Sequence, residues 1–145
     1  MSPARGTSDA WKDAALELVV EVLRTGAPQT LVARGGSMAG AIRDGARLTL
    51  VPLGVRKRAP ALGDVVAVAT PRVGLIIHRV VGVDARGLLL IKGDACPSPD
   101  GWFSLRDIVG IVADIEGNPV PPPKPAPARW RRGLARIARW LAGGA

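Results

Sequence analysis

From Thr30 to Ile115 the chain is punctuated too often for long helices. Short apolar, β-branched runs alternate with Gly, Pro and Asp: Leu31–Ala33, Arg47–Val51, Asp64–Ala69, Leu75–Val83, Leu88–Ile91 and Ile108–Asp114. Runs this short, bounded by turn residues, read as strands, and many of them at close spacing read as an antiparallel sheet. The spacing therefore predicts a mostly antiparallel β domain over residues 30–117. Hydrophobic residues make up 48% of the sequence and aromatic residues only 3%, so Val, Leu, Ile and Ala must fill the core. No internal repeat is visible.

The flanks differ in texture. Residues 1–29 form an N-terminal amphipathic segment. Ser8 or Asp9 can cap a helix, because either side chain accepts from a free N–H of the first turn. Trp11, Ala15, Leu18, Val19, Val22 and Leu23 then recur at helical spacing, and Gly26 and Pro28 stop the helix. Residues 118–128 carry six prolines and read as an extended spacer that cannot join a sheet or a helix interior. In 129–145, Trp130, Leu134, Ile137 and Leu141 make an apolar stripe edged by Arg131, Arg132, Arg136 and Arg139. That pattern predicts a short basic amphipathic helix.

Charge sharpens this division. The net charge is +8, yet residues 1–118 hold 14 Lys/Arg against 12 Asp/Glu, and residues 119–145 hold six Lys/Arg and no acid. The basic object is the tail alone. Its mixture of arginine and apolar side chains suits an anionic membrane surface or a partner groove, through residues 129–141, better than a phosphate backbone, so no nucleic acid is expected. No stretch reaches the ~18 uncharged apolar residues a membrane span needs, and no signal peptide is evident. The expectation is a cytoplasmic protein, peripheral at the inner membrane face. A single cysteine, Cys96, excludes an internal disulfide and reads as a small core or loop residue.

Three segments carry chemistry. In Gly35-Gly36-Ser37-Met38, two glycines permit an unusual backbone path that exposes the serine and leaves N–H groups free to stabilise an oxyanion. The same tripeptide also serves as a plain turn. His78 interrupts the apolar run Leu75–Val81 and is the only histidine. It reads either as a satisfied core residue or, beside a hydroxyl, as a proton acceptor near neutral pH. Asp94 and Asp100 lie in a loop after a strand, where either could orient an imidazole or simply turn the chain.

In order, the chain runs Gly-x-Ser-Met at 35–38, Gly-Asp-Val-Val at 63–66, His-Arg-Val-Val at 78–81, Lys-Gly-Asp at 92–94, Asp100, and Asp-Ile-Val-Gly at 107–110. This order resembles the type I signal peptidase superfamily of serine peptidases. The likeness is nearest to the branch of endoplasmic reticulum, archaea and spore-forming bacteria in which histidine replaces the usual lysine base. The resemblance spans about residues 30–115. It implies a coiled antiparallel β-sheet peptidase domain, here with an N-terminal helix and a C-terminal amphipathic helix. It also implies Ser37 as nucleophile, His78 as general base and Asp100 as the acid completing the site. Gly36 and Met38 would shape the substrate cleft, and Asp94 would have a supporting role. No cofactor or metal is implied.

The pattern departs from the family in three places. Ala39 and Gly40 follow Met38 where a proline is usual. Ala46 stands where an Asp often follows the glycine. A charged amphipathic helix precedes the serine where the family has a membrane anchor. The function expected is a serine endopeptidase acting on a protein or precursor peptide with small side chains near the cut. The competing expectations are a non-catalytic peptide-binding or scaffold module, and a self-cleaving relative of the repressor type.

Overall fold

The computed structural model of the chain describes residues 7–55 and 59–123. The tail helix expected over 129–141, most of the proline spacer and the side chains of Trp11 and Ala15 lie outside the described residues. One helix, α1 (Thr7–Arg24), precedes β1 (Gln29–Val32), β2 (Arg47–Val51), β3 (Val65–Thr70), β4 (Gly74–Val83), β5 (Leu89–Lys92), β6 (Gly101–Phe103), β7 (Ile108–Ile115) and β8 (Asn118–Pro119). All strand pairings are antiparallel, and they build one curled sheet of order β1-β2-β7-β3-β4-β5-β6, with β8 beside β7. No described helix is long and apolar enough to cross a membrane.

α1 is described from Thr7, and Ser8 and Asp9, the expected caps, lie within it. Its end is as the glycine suggests. Gly26 adopts φ 98°, its N–H donates to the Leu23 carbonyl at 3.1 Å, and the Ala27 N–H donates to that of Val22 at 3.3 Å. That pair of bonds is a Schellman motif, which satisfies carbonyls the helix leaves free. The buried face is rotated from the expected one. Leu23 is 1% exposed, with Val19 and Val20 packed around it, whereas Leu18 is 64% exposed.

The central strands of the curled sheet are covered on both faces. In β3, Val65 and Ala67 join a core with Leu23, Met38, Leu48 and Val112. Val66 and Val68 join a second core with Val80, Ile91, Phe103 and Ile111. A strand buried on both sides has no polar face, so it reads as a continuous apolar run.

Two short strands lie outside the expected runs. β6 is three residues long and pairs with β5. β8 corrects the expectation that the proline segment stays off the sheet, since Pro119 pairs with Asp114. A proline is tolerated there because a strand paired on one side has no ladder bond to lose on the other. The chain beyond is also held: Val120 packs on the first core, and the Pro121 carbonyl accepts from Arg79 at 3.1 Å.

Candidate active site

His78 sits where β4 changes partners. Among the described residues, the stretch from Gly74 to His78 pairs only with β3, and β5 joins at Arg79. His78 lies opposite Val66 and is 7% exposed. The sequence thus buries an imidazole inside a Val/Ile strand at the point where one backbone edge is still open.

The β1–β2 loop delivers Ser37. Its base is closed by two 2.8 Å bonds, from the Ala33 N–H to the Ala46 carbonyl and from the Gly45 N–H to the Ala33 carbonyl. Gly35 turns the chain at φ 86°, a conformation costly for any side chain, and its N–H donates to the Asp44 carboxylate at 3.0 Å. Met38 and Ile42 are buried in the first core and act as plugs. The loop is therefore fixed on either side of a half-buried Ser37.

Asp100 arrives from the loop after β5, where its N–H donates to the Ile91 carbonyl at 2.8 Å. Ser37, His78 and Asp100 are brought together. His78 Nδ1 lies 2.6 Å from Asp100 Oδ2, and His78 Nε2 lies 3.0 Å from Ser37 Oγ. An ionised carboxylate only accepts, so Nδ1 carries the proton and donates to Asp100. Nε2 is then left as the acceptor for the Ser37 hydroxyl. This tautomer places a base against a hydroxyl nucleophile, with an anion ready to stabilise the imidazolium that forms. Among the described residues the Ser37 N–H has no acceptor, which leaves it available to an oxyanion.

The other expected residues divide by contact. Gly36 is exposed, and nothing lies within 4 Å of where a Cβ would stand, so it leaves open space beside the serine. Met38 is too buried to be chiefly a substrate contact, although it forms part of the cleft floor. Its Sδ accepts from the Asp94 N–H at 3.3 Å. Asp94 is remote from the imidazole's hydrogen bonds and instead pairs bidentately with Arg79, both distances 2.9 Å. Lys92 donates to the Gly93 carbonyl at 3.0 Å.

Two residues that the sequence offered only as members of motifs have roles of their own. Arg79 is 1% exposed and satisfied by Asp94, the Gly63 carbonyl at 2.7 Å and the Pro121 carbonyl. Removing either member of such a buried pair would strand a charge, at a cost of about 3–5 kcal/mol. Its signal was an arginine inside an apolar strand. Gly93 is the second. A Cβ there would stand 2.6 Å from Cys96 Sγ, 2.7 Å from the Ser37 carbonyl oxygen and 3.1 Å from His78 Nε2. The Ala95 N–H donates to that same Ser37 carbonyl at 2.9 Å, so the two loops are bonded back to back. Cys96 is half-buried beneath this junction.

A cleft of about 300 Å³ opens beside Ser37 and His78, at the small end for ligand sites. Leu16 of α1, Leu31 of β1, Ala33 just after it, and Leu75 and Ile77 of β4 form apolar walls. Among the described residues β1 pairs only with β2, and the first half of β4 only with β3, so both strands lining the cleft keep an unpaired edge. A scan against models of known protein families gives no match, and a search of curated proteins gives none.

Proposed function

We propose that this chain is a serine endopeptidase of the signal-peptidase type. The observation that carries this reading is the relay from Ser37 Oγ to His78 Nε2 at 3.0 Å and from His78 Nδ1 to Asp100 Oδ2 at 2.6 Å. Nε2 takes the hydroxyl proton as Ser37 Oγ attacks the peptide carbonyl carbon. Asp100 stabilises the imidazolium. The tetrahedral intermediate collapses when Nε2 returns the proton to the leaving amine, which departs and leaves an acyl ester on Ser37. Water, deprotonated by the same nitrogen, then releases the acid.

The unpaired edges beside the cleft suit an extended peptide, which binds by adding a strand. The cleft's small volume suits modest side chains next to the cut, in line with the resemblance to the family. The test is a fluorophosphonate, which esterifies only an activated serine. An adduct on Ser37, absent from Ser37→Ala, is expected. An unmodified Ser37 in folded wild-type protein would favour the non-catalytic peptide-binding module instead.

A further inference from the structure

α1 is more than a support for the sheet. Three of its residues follow one stripe at intervals of four and three: Leu16, Val20 and Leu23. Their burial falls steadily along it. Leu23 is 1% exposed and lies in the first core, Val20 is partly buried against that core, and Leu16 is 37% exposed. A helix lying flat on a sheet would bury the whole stripe evenly. The gradient means that α1 is seated at its C-terminal end and overhangs toward its N-terminal end.

What it overhangs is the cleft. Leu16 lines the same cavity as Ser37 and His78, together with Leu31 and Leu75. A large apolar side chain more than one-third exposed at the mouth of an apolar cleft lacks a partner that a bound side chain would supply. An extended peptide alternates its side chains, so only every second residue would point at this wall.

We propose that Leu16 is a specificity-determining residue, which limits the size of one substrate side chain by closing the cleft from the helix side. The proposal rests on the peptidase reading above. Leu16→Ala should open the wall and Leu16→Phe should close it. Changing a few methylene-sized contacts in an apolar pocket alters discrimination by about tenfold or somewhat more.

The test uses the full chain and two kinds of reagent. Diisopropyl fluorophosphate reads the nucleophile without filling the cleft. Tetrapeptide diphenyl phosphonates, carrying Ala, Leu or Phe at one position at a time, read the cleft. The rate of each variant with the small reagent serves as its own reference, by which its peptide rates are divided. At one peptide position Leu16→Ala should raise the preference for Leu or Phe over Ala by about tenfold, and Leu16→Phe should lower it. Unchanged preference at every position in both variants would overturn the proposal, as would an equal change for all peptides. A wild-type protein that reacts with neither reagent would instead sink the peptidase reading, and this proposal with it.

Discussion

Replacing Gly93 by alanine adds one methyl group where the β1–β2 loop, the loop after β5 and the imidazole of His78 meet. Gly93 is not among the glycines with positive φ, so alanine meets no backbone strain and the effect is purely steric. The Cys96 thiol, 2.6 Å from the new carbon, can rotate away. The Ser37 carbonyl oxygen, at 2.7 Å, is backbone and must retreat by about 0.7 Å to reach ordinary contact at 3.4 Å. That carbonyl belongs to the candidate nucleophile's own residue, so Ser37 Oγ shifts relative to Nε2. A displacement approaching 1 Å costs about a hundredfold in rate. Overpacking costs about 1–3 kcal/mol of stability, which for a domain of this size lowers Tm by about 4–12 °C. The assay is the second-order rate of reaction with diisopropyl fluorophosphate, measured well below the variant's Tm. Combining Gly93→Ala with Cys96→Ala relieves the thiol contact and not the carbonyl one, so the double variant should stay slow. A single variant that is folded and reacts within threefold of wild type would refute the steric argument.

Two further outcomes follow from the same relay. Asp100→Asn can present an amide N–H to Nδ1 and so hold the imidazole in the wrong tautomer; a loss of about a thousandfold to ten-thousandfold in phosphonylation is expected, with Tm little changed because Asp100 is partly exposed. His78→Ala removes the group that Ser37 Oγ contacts at 3.0 Å, so phosphonylation should fall by several orders of magnitude.

The β architecture was legible because turn chemistry and strand length are local. β2, for instance, is bounded by Gly45-Ala46 and Pro52 and spans the five residues expected. β6 was not legible, because the three residues between Asp100 and Ser104 become a strand only when β5 lies alongside to accept them. Ser37, His78 and Asp100 were legible as an ordered set and not singly, since each residue type has a commoner structural use. Gly93 illustrates what one sequence withholds. A glycine in a loop usually serves a turn, and only the crossing of two loops distant in sequence reveals that a missing side chain matters.

The rotation of α1 has the same origin. Six of the eight residues from Leu16 to Leu23 are apolar, and only Glu17 and Glu21 interrupt them. Periodicity therefore establishes an amphipathic helix and leaves its facing open by nearly one residue, about 100°. Docking decides it. Gly110 on β7 has no Cβ, and the space a Cβ would take is bounded by the Val51 carbonyl oxygen at 3.1 Å and Leu23 Cδ2 at 3.7 Å. Leu23 therefore packs directly over the backbone of β7 at that point, with room for no more than a methyl group between them. Once Leu23 is seated, helical geometry places Val20 and Leu16 above it on one line. Leu18 is turned toward solvent, and Leu16 is carried over the cleft beside Ser37. The seating of Leu23 on β7 thus goes together with which leucine of the helix borders the candidate nucleophile.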